Sequence, residues 1–208
     1  IRVGWALKNT HESLFLTWIA FSAKSSKFDF DKIPDYYDMW SRFSATNDDC
    51  LTFRSIIYWA KHDNYAKYKE VREETISYFV DKAVESPTDF DFALVLYQMY
   101  KDDYMCVSIK KDIWYMYTNH RWEENEGGTG LRMSISTDLH DIYFSKFQDI
   151  IQLMCSGTLD TTSDEYAKHR DTTQKLKDIT TKLKTRGVKD NIMREAKEIF
   201  YDTSFIEK

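Results

Sequence analysis

The sequence is poor in the residues that interrupt helices and in those that link small domains covalently. Its 208 residues include only six Gly and two Pro, so few helix breaks are expected and helices should dominate. The three cysteines, Cys50, Cys106 and Cys155, are widely spaced and form no Cys-x-x-Cys pair. They suggest neither a disulfide framework nor a zinc site, and they fit a reducing, intracellular compartment.

Long apolar runs and clustered metal ligands are missing as well. No stretch approaches the roughly 18 to 20 apolar residues that cross a bilayer, and no charged-then-apolar signal segment opens the chain. The five His residues have neither His-x-x-x-His nor His-Glu-x-x-His spacing. We therefore expect a soluble chain with no membrane partner and no metal site.

The chain does contain the material for a core. Apolar residues make up 42% of it and aromatic residues 16%, which is enough for one large domain or two small ones. It opens at Ile1 without an initiator Met and stops at Lys208 without a turn signal. We therefore expect a piece of a longer protein, some of whose functions lie outside this chain.

Apolar residues at helical spacing, together with capping residues, predict helices over most of the chain. Asn9 or Thr10 could cap the first helix, and Pro34 opens a short one. Thr52 opens another, and residues 86–89, which include Thr88, have the composition of a helix start. Ser163 lies in the capping segment of a long basic helix, and Gly187 is expected to end that helix. The predicted helices cover residues 11–24, 34–43, 52 onwards, 64–85, 90–101, 131–154, 163–186 and 190–200.

Strand patterns are confined to one region. Residues 104–109 and 113–118 are rich in β-branched and aromatic side chains and flank a polar turn, so they predict a hairpin. His120, Arg121 and Trp122 could extend this hairpin. The predicted fold class is therefore mainly α with a small β-hairpin (α+β).

Two helical domains in tandem are expected. Ser86 and Pro87 interrupt the helical pattern, because Pro cannot donate a helix hydrogen bond, and the boundary is expected between about residues 70 and 88. We divide the chain into a small helical domain, residues 1–75, and a second domain, residues 76–208. The second contains the hairpin, near 104–122, and the long C-terminal helices.

A glycine-rich loop is predicted at residues 126–130. Closely spaced backbone N–H groups at a helix start can bind phosphate. A Walker loop, however, requires Gly-Lys-Ser/Thr after the glycines, and here Leu131, Arg132 and Met133 follow. We favour a connection between hairpin and helix over a nucleotide site.

The tryptophans could pack in a core or stack on unpaired bases. Trp18, Trp40, Trp59 and Trp114 lie at periodic, core-facing positions, which favours core packing. Trp122 lies beside Arg121 and just before the glycine loop. This pair is therefore the more open to a role in binding.

Positive charge is concentrated in one arm of an acidic chain. The net charge is -5, yet residues 168–198 hold ten Lys/Arg against five Asp/Glu. Lysines repeat along the predicted helix over 163–186, while Leu176, Ile179 and Leu183 form its apolar seam. Such a face is either merely solvated or a track for a nucleic-acid backbone. The candidate nucleic-acid contacts are Lys175, Lys177, Lys182, Lys184, Arg186 and Lys189, with Arg121 and Trp122.

Two stretches resemble a known viral architecture. The first resembles the type-two primase C-terminal domain, a small helical module that follows archaeo-eukaryotic-type primases; it is carried by residues 3–7, 21–22 and 52–61 with Trp18, Trp40 and Phe43. The second resembles the N-terminal domain of poxvirus-type superfamily 3 helicases. That likeness is carried by residues 113–115, 119–122, 131–132, 189–193, 195 and 200–201.

The resemblance implies a parent protein ordered as primase, this segment and a hexameric ATP-driven helicase, in which the second domain is a collar beside the motor ring. Catalysis does not transfer. The primase carboxylates are expected before Ile1 and the Walker motifs after Lys208, so no catalytic residue and no cofactor is expected here, while the parent would use ATP and Mg²⁺. The host cytoplasm or a viral replication site is the expected location.

The leading hypothesis is thus a non-catalytic linker and collar segment of a viral DNA replication primase–helicase. It would support ring self-association and contact single-stranded or forked DNA weakly and without sequence preference. The alternative is a pure oligomerisation or protein-interaction module with no DNA contact, in which the lysines lie against a neighbour. An independent enzyme is the least favoured, because no nucleophile, base or metal set converges.

Overall fold

The computed structural model describes residues 1–43, 51–119, 121–156 and 160–202. The chain divides into two compact units, a first unit, Ile1–Val71, and a second unit, Arg72–Lys208. This division and the boundary expected from the sequence, between residues 75 and 76, both fall within one helix, α5 (Tyr65–Glu85).

Among the described residues of the first unit, four helices precede α5. They are α1 (Arg2–Thr10), α2 (Phe15–Ser22), α3 (Ile33–Ser41) and α4 (Phe53–Asp63), with short 3₁₀ turns at Glu12–Leu14 and Phe30–Lys32. The predictions of a helix opening at Pro34 and of another following Thr52 are confirmed.

The start of the first unit differs from the prediction. Helix α1 was not expected from periodicity, and the single helix expected over residues 11–24 is a 3₁₀ turn followed by α2. Asn9 and Thr10 do not cap it. Thr10 Oγ1 donates to the Ala6 carbonyl at 2.7 Å, and Asn9 Nδ2 donates to the Leu51 carbonyl at 2.9 Å, so both side chains are engaged within the unit.

The core of the first unit is a small cluster of aromatic rings. The indoles of Trp18 and Trp40 stack at 5.7 Å between ring centroids, and Phe43 meets Trp18 edge-on at 5.5 Å. Helix α1 approaches this cluster through Gly4, where a Cβ would lie 2.6 Å from the Trp18 ring. A glycine is therefore needed for α1 to lie this close to α2.

The second unit begins within α5 and continues through α6 (Asp89–Tyr100). The Thr88 side chain caps α6 by accepting from the Asp91 backbone N–H at 3.2 Å, as the sequence predicts. A three-stranded antiparallel sheet follows, in the order β1 (Tyr104–Ser108), β2 (Ile113–Thr118) and β3 (Arg121–Glu124). The predicted hairpin is confirmed, and so is its extension by Arg121 and Trp122, which lie in β3. His120, and Cys50 in the first unit, lie outside the described residues.

The outer edge of β1 is occupied by the segment after the last helix. The Cys106 N–H donates to the Phe200 carbonyl at 3.0 Å, and the Asp202 N–H donates to the Cys106 carbonyl at 3.1 Å. Tyr201 thereby bridges to Cys106 in parallel orientation. Because a free strand edge invites pairing with other chains, this segment also covers a vulnerable edge.

The glycine-rich loop is shorter than expected. Glu126–Gly128 forms a 3₁₀ turn, and Gly130 lies already in α7 (Thr129–Ser134). Gly127 and Gly128 have positive φ angles of 58° and 63°, and a Cβ on Gly128 would lie 2.8 Å from Met193 Cε and 3.1 Å from the Trp114 ring. This turn is constrained by conformation and by packing.

A long helical stretch follows, as predicted. Helix α7 continues through a π-helical turn, Ile135–Leu139, into α8 (His140–Cys155). Ile135 and Leu139 at the two ends of this turn are fully buried. The extra residue of a π turn shifts the register of the helix, and apolar spacing alone did not indicate it.

The last two helices correct the predicted role of Gly187. Helix α9 (Asp164–Lys182) begins after Ser163, as expected, but it ends before residue 186. Thr185 adopts an extended conformation and precedes α10 (Arg186–Ile199), so Gly187 lies in the first turn of α10. Its φ is not in the left-handed region, and thus it does not stop α9.

The core of the second unit joins α5, α6, the sheet and the C-terminal helices. Helix α6 packs on α10, and α8 packs on α9. Trp114 of β2 is fully buried between Phe200 and the glycine turn. The predicted fold class, mainly α with a small β part, is confirmed.

Candidate nucleic-acid interface

The seam of α9 fixes which of its faces meets solvent. Leu176, Ile179 and Leu183 are at most 1% exposed, which confirms the predicted apolar seam. With that side buried, the lysines on the other sides of the helix point to solvent. This lysine face consists of the exposed residues Lys168, Lys175, Lys177 and Lys182 of α9 together with Lys184, which lies just after the end of the helix.

The carboxylates near the lysine face are not paired with its lysines. Within the described part of the chain, Lys177, Lys182 and Lys184 form no ion pair, and the Lys175 ammonium reaches only the Glu85 carbonyl, at 3.5 Å. The carboxylates on α9 have other partners: Asp178 accepts from Gln174 at 2.9 Å, and Asp171 lies 3.8 Å from Arg170. The lysine ammoniums are therefore available to an external anion.

The start of α10 is less available than the sequence suggested. Arg132 Nε and Nη2 donate to one oxygen of Asp190 at 3.1 and 2.5 Å, and Arg186 lies 3.8 Å from the other oxygen. The hydrogen bond from Arg132 holds the pKa of the Asp190 carboxyl below its usual range. Arg186 still projects into solvent at 91% exposure, whereas Lys189 is half-buried.

Arg121 and Trp122 lie on a different element, strand β3. The Arg121 guanidinium donates to Glu123 at 2.6 Å, and Trp122 is half-buried with its ring edge-on to Tyr117 at 5.3 Å. Strand β3 pairs with β2, while α9 packs on α8. The two candidates therefore lie on a different element from the lysine face, and the charge of Arg121 is already offset by the Glu123 carboxylate.

The tryptophan predictions hold in three of four cases. Trp18, Trp40 and Trp114 are buried, at 4%, 2% and 0% exposure. Trp59 is only half-buried and lines a surface hollow. The Arg2 guanidinium lies 5.2 Å from the centre of its ring, which is within cation–π range. The prediction of core packing for Trp59 is therefore wrong, because its ring borders the hollow and meets a guanidinium group rather than other core side chains.

Two groups with raised pKa values lie in the core of the second unit. Burial raises the pKa of the Tyr143 hydroxyl, whose oxygen has no hydrogen-bond partner among the described residues, and of the Cys106 thiol. A buried thiol with a raised pKa is a poor nucleophile. Among the described residues, no group of three or more His, Cys, Asp or Glu could hold a metal ion, and no helix is long and apolar enough to cross a membrane.

Two family models match the chain, one for each half of this architecture. The model described as primase C terminal 2 (PriCT-2) matches residues 1–60, and the model described as D5 N terminal like matches residues 93–207. A primase-type segment followed by a helicase-type segment is the arrangement of a viral primase–helicase, which confirms the resemblance. The chain belongs to the D5 N-terminal-like family, whose model covers more than half of it.

Viral relatives extend over nearly the whole chain. A protein named as a putative helicase in Acanthamoeba polyphaga mimivirus is 30% identical over 206 residues, which is 99% of this chain and 20% of the relative. A protein named as a putative helicase in Frog virus 3 (isolate Goorha) is 21% identical over 220 residues, with 92% and 21% covered. This chain spans about a fifth of the length of these relatives.

Proposed function

We propose that this chain is the non-catalytic linker and collar segment of a DNA replication primase–helicase of a large DNA virus. In this role it joins the primase to the helicase motor, supports ring assembly and guides single-stranded or forked DNA. ATP and Mg²⁺ would serve the catalytic parts of the parent. The order of the two matched segments supports the joining role.

The lysine face of α9 carries the DNA part of this proposal. Its lysines form no ion pair among the described residues, and lysines that contact phosphates position a strand without reading its bases. With about four to six phosphates neutralised, binding by one copy is expected in the non-specific range of roughly 10⁻⁴ to 10⁻⁶ M and to weaken steeply with salt. A ring would multiply these contacts.

Exposed apolar side chains on α8 support the assembly part. Phe144 and Ile151, seven residues apart on one side of α8, are 41% and 37% exposed, and an apolar strip of this kind is suited to burial against another chain. The same observation favours the alternative function, an interaction module without DNA contact. The two are separated by testing whether the lysine face binds DNA.

The test replaces Lys175, Lys182 and Lys184 together by Glu in the whole chain. Binding of a fluorescein-labelled single-stranded oligonucleotide, measured by anisotropy at low salt, is expected to disappear, because three attractive contacts become repulsive. Unfolding free energy should change by no more than about 0.5 kcal/mol per site, since all three side chains are exposed.

The matched control replaces Lys24, Lys27 and Lys110 by Glu. These lysines are also exposed and the change in net charge is the same, yet they lie outside the lysine face. The control variant should keep most of the binding. Equal losses in both variants would mean that only net charge matters, and no loss in the first would favour the interaction module.

A further inference from the structure

A cleft in the first unit combines cations with aromatic rings. It has a volume of about 410 Å³ and lies between the start of α1 and the first turns of α4, within the range of about 300–1,000 Å³ typical of sites for small ligands. Its lining residues are Arg2, Leu51, Arg54, Ser55, Tyr58 and Trp59.

The charge of the cleft is positive. Arg2 and Arg54 are both exposed, and neither forms an ion pair within the residues that the structure describes. None of the lining residues is acidic. Two guanidinium groups at one cleft favour a phosphate, to which an arginine can donate two parallel hydrogen bonds. The cleft also includes the first turn of α4, where the positive end of the helix dipole adds to the same field.

The aromatic side of the cleft is a platform rather than part of the core. Tyr58 is 59% exposed, and its ring lies 3.9 Å from the ring of His62, one helical turn further on. The spacing of Arg54, Tyr58 and His62, four residues apart each time, places all three on one side of α4. Trp59 also borders the cleft, and Arg2 lies over its ring.

We propose that this cleft binds one nucleotide of an unpaired nucleic-acid strand. The phosphate lies between Arg2 and Arg54, and the base stacks on the face of Tyr58 that His62 does not cover. Stacking on an aromatic ring tolerates any base, and its combination with cations is typical of proteins that bind single strands without sequence preference. This proposal rests on the proposed function in one respect, namely that the parent protein handles DNA. It does not depend on the lysine face, because the cleft belongs to the first unit.

The base contact is tested with Tyr58→Ala and Tyr58→Phe in the whole chain. Two labelled strands of equal length are compared by anisotropy, an oligothymidylate and an abasic strand. Tyr58→Ala should weaken oligothymidylate binding at least about fivefold, because stacking on the ring is lost, and should leave abasic binding unchanged. Tyr58→Phe retains the ring and should bind like the parent. Tyr78→Ala, at a tyrosine of 58% exposure in the second unit, is the matched control and should have no effect.

The phosphate contact is tested with Arg54→Gln. This variant should weaken both strands and reduce the slope of log affinity against log salt concentration by about 0.7, the value for one phosphate contact on a single strand. Arg42→Gln, at an exposed arginine that does not line the cleft, should change neither quantity. An equal change in the control would overturn the assignment of Arg54.

Three outcomes would overturn the cleft. Tyr58→Ala could leave oligothymidylate binding intact, or it could weaken the abasic strand as much. Thymidine monophosphate could also displace the strand at equal nucleotide concentration, which would indicate a site for a free nucleotide.

The cleft and the proposed function can fail independently. If Tyr58→Ala has no effect while the lysine-face variant loses binding, the proposal for the cleft is wrong and the proposed function stands. The reverse result retains the cleft and removes α9 as a DNA track.

Discussion

The two units differ in how many of their apolar residues are buried. Of the 25 apolar residues that are buried in the described chain, only Ala6, Trp18 and Trp40 belong to the first unit. Several other aromatic rings of that unit remain open to solvent, among them Tyr58 and Phe21 at 59% and 52% exposure. In the second unit the rings of Phe92, Tyr104, Trp114, Tyr143 and Phe200 are buried, although others, such as Tyr78 and Phe144, remain exposed.

Because the two cores differ in size, the exposed surfaces of the two units differ in composition. The second unit has a large core, and its exposed faces include an ionic one, the lysine face of α9, and an apolar one on α8. The first unit has a minimal core that depends on a few stacked rings. Its surface therefore mixes aromatic rings with arginines, and this is the combination that favours stacking on unpaired bases.

The strongest test of the comparison removes one buried indole from each unit. Trp40→Ala and Trp114→Ala should each cost about 3–5 kcal/mol. The core of a domain below about 70–80 residues rarely supplies more than about 3–5 kcal/mol of stability. Trp40→Ala should therefore unfold the first unit at ambient temperature. Trp114→Ala should leave the second unit folded with a lower melting temperature. Calorimetry on both variants checks this, and a single transition lowered equally by both would contradict it.

A smaller effect is expected from adding one methyl group at a glycine. Gly4→Ala places a Cβ 2.6 Å from the rigid Trp18 ring, and Gly128→Ala combines a contact of 2.8 Å with the flexible end of Met193 and a φ of +63°. Each should cost about 1–3 kcal/mol. Gly187→Ala is the control, since nothing lies within 4 Å of its Cβ position. Urea unfolding should show it neutral or stabilised by up to about 1 kcal/mol.

The smallest effect concerns the ion pair that joins α7 to α10 in the second unit. Because Arg132 lowers the pKa of Asp190, this carboxyl contributes stability above the ordinary carboxyl pKa. That contribution is lost as the pH falls through the lowered pKa. Arg132→Ala should return the Asp190 pKa towards its ordinary value, which a carbon-13 NMR titration of the carboxyl measures. An unchanged titration would mean that Arg132 does not set it.

Local signals made much of the fold predictable. Helices α3 and α6 and the start of α4 follow from Pro34, Thr88 and Thr52, each beside an apolar periodic stretch. The hairpin follows from its composition, and the α9 seam from its spacing. The exposure of the lysines was predictable for the same reason, since a buried seam leaves them no other side of the helix.

What could not be predicted depends on contacts between distant segments. Helix α1 has no side-chain cap, and it is held by the close approach of Gly4 to Trp18. Gly187 resembles a helix stop, yet Thr185 makes the break. The cleft requires α1 to pack beside α4, which brings Arg2 to Arg54 and Tyr58 across more than fifty residues of sequence. The spacing of Arg54, Tyr58 and His62 was the one local signal for it.

The strand-like bridge at Tyr201 also has a mechanical meaning. If force were applied to the backbone at Asp202, the two hydrogen bonds between this segment and Cys106 of β1 would carry it first. The end of α10 would be loaded only after these bonds broke. Parallel pairing loads such bonds in shear, so they resist together rather than one after another. Force applied at this point would therefore enter the second unit through its sheet and the buried Trp114, and the last helix would be shielded from unwinding.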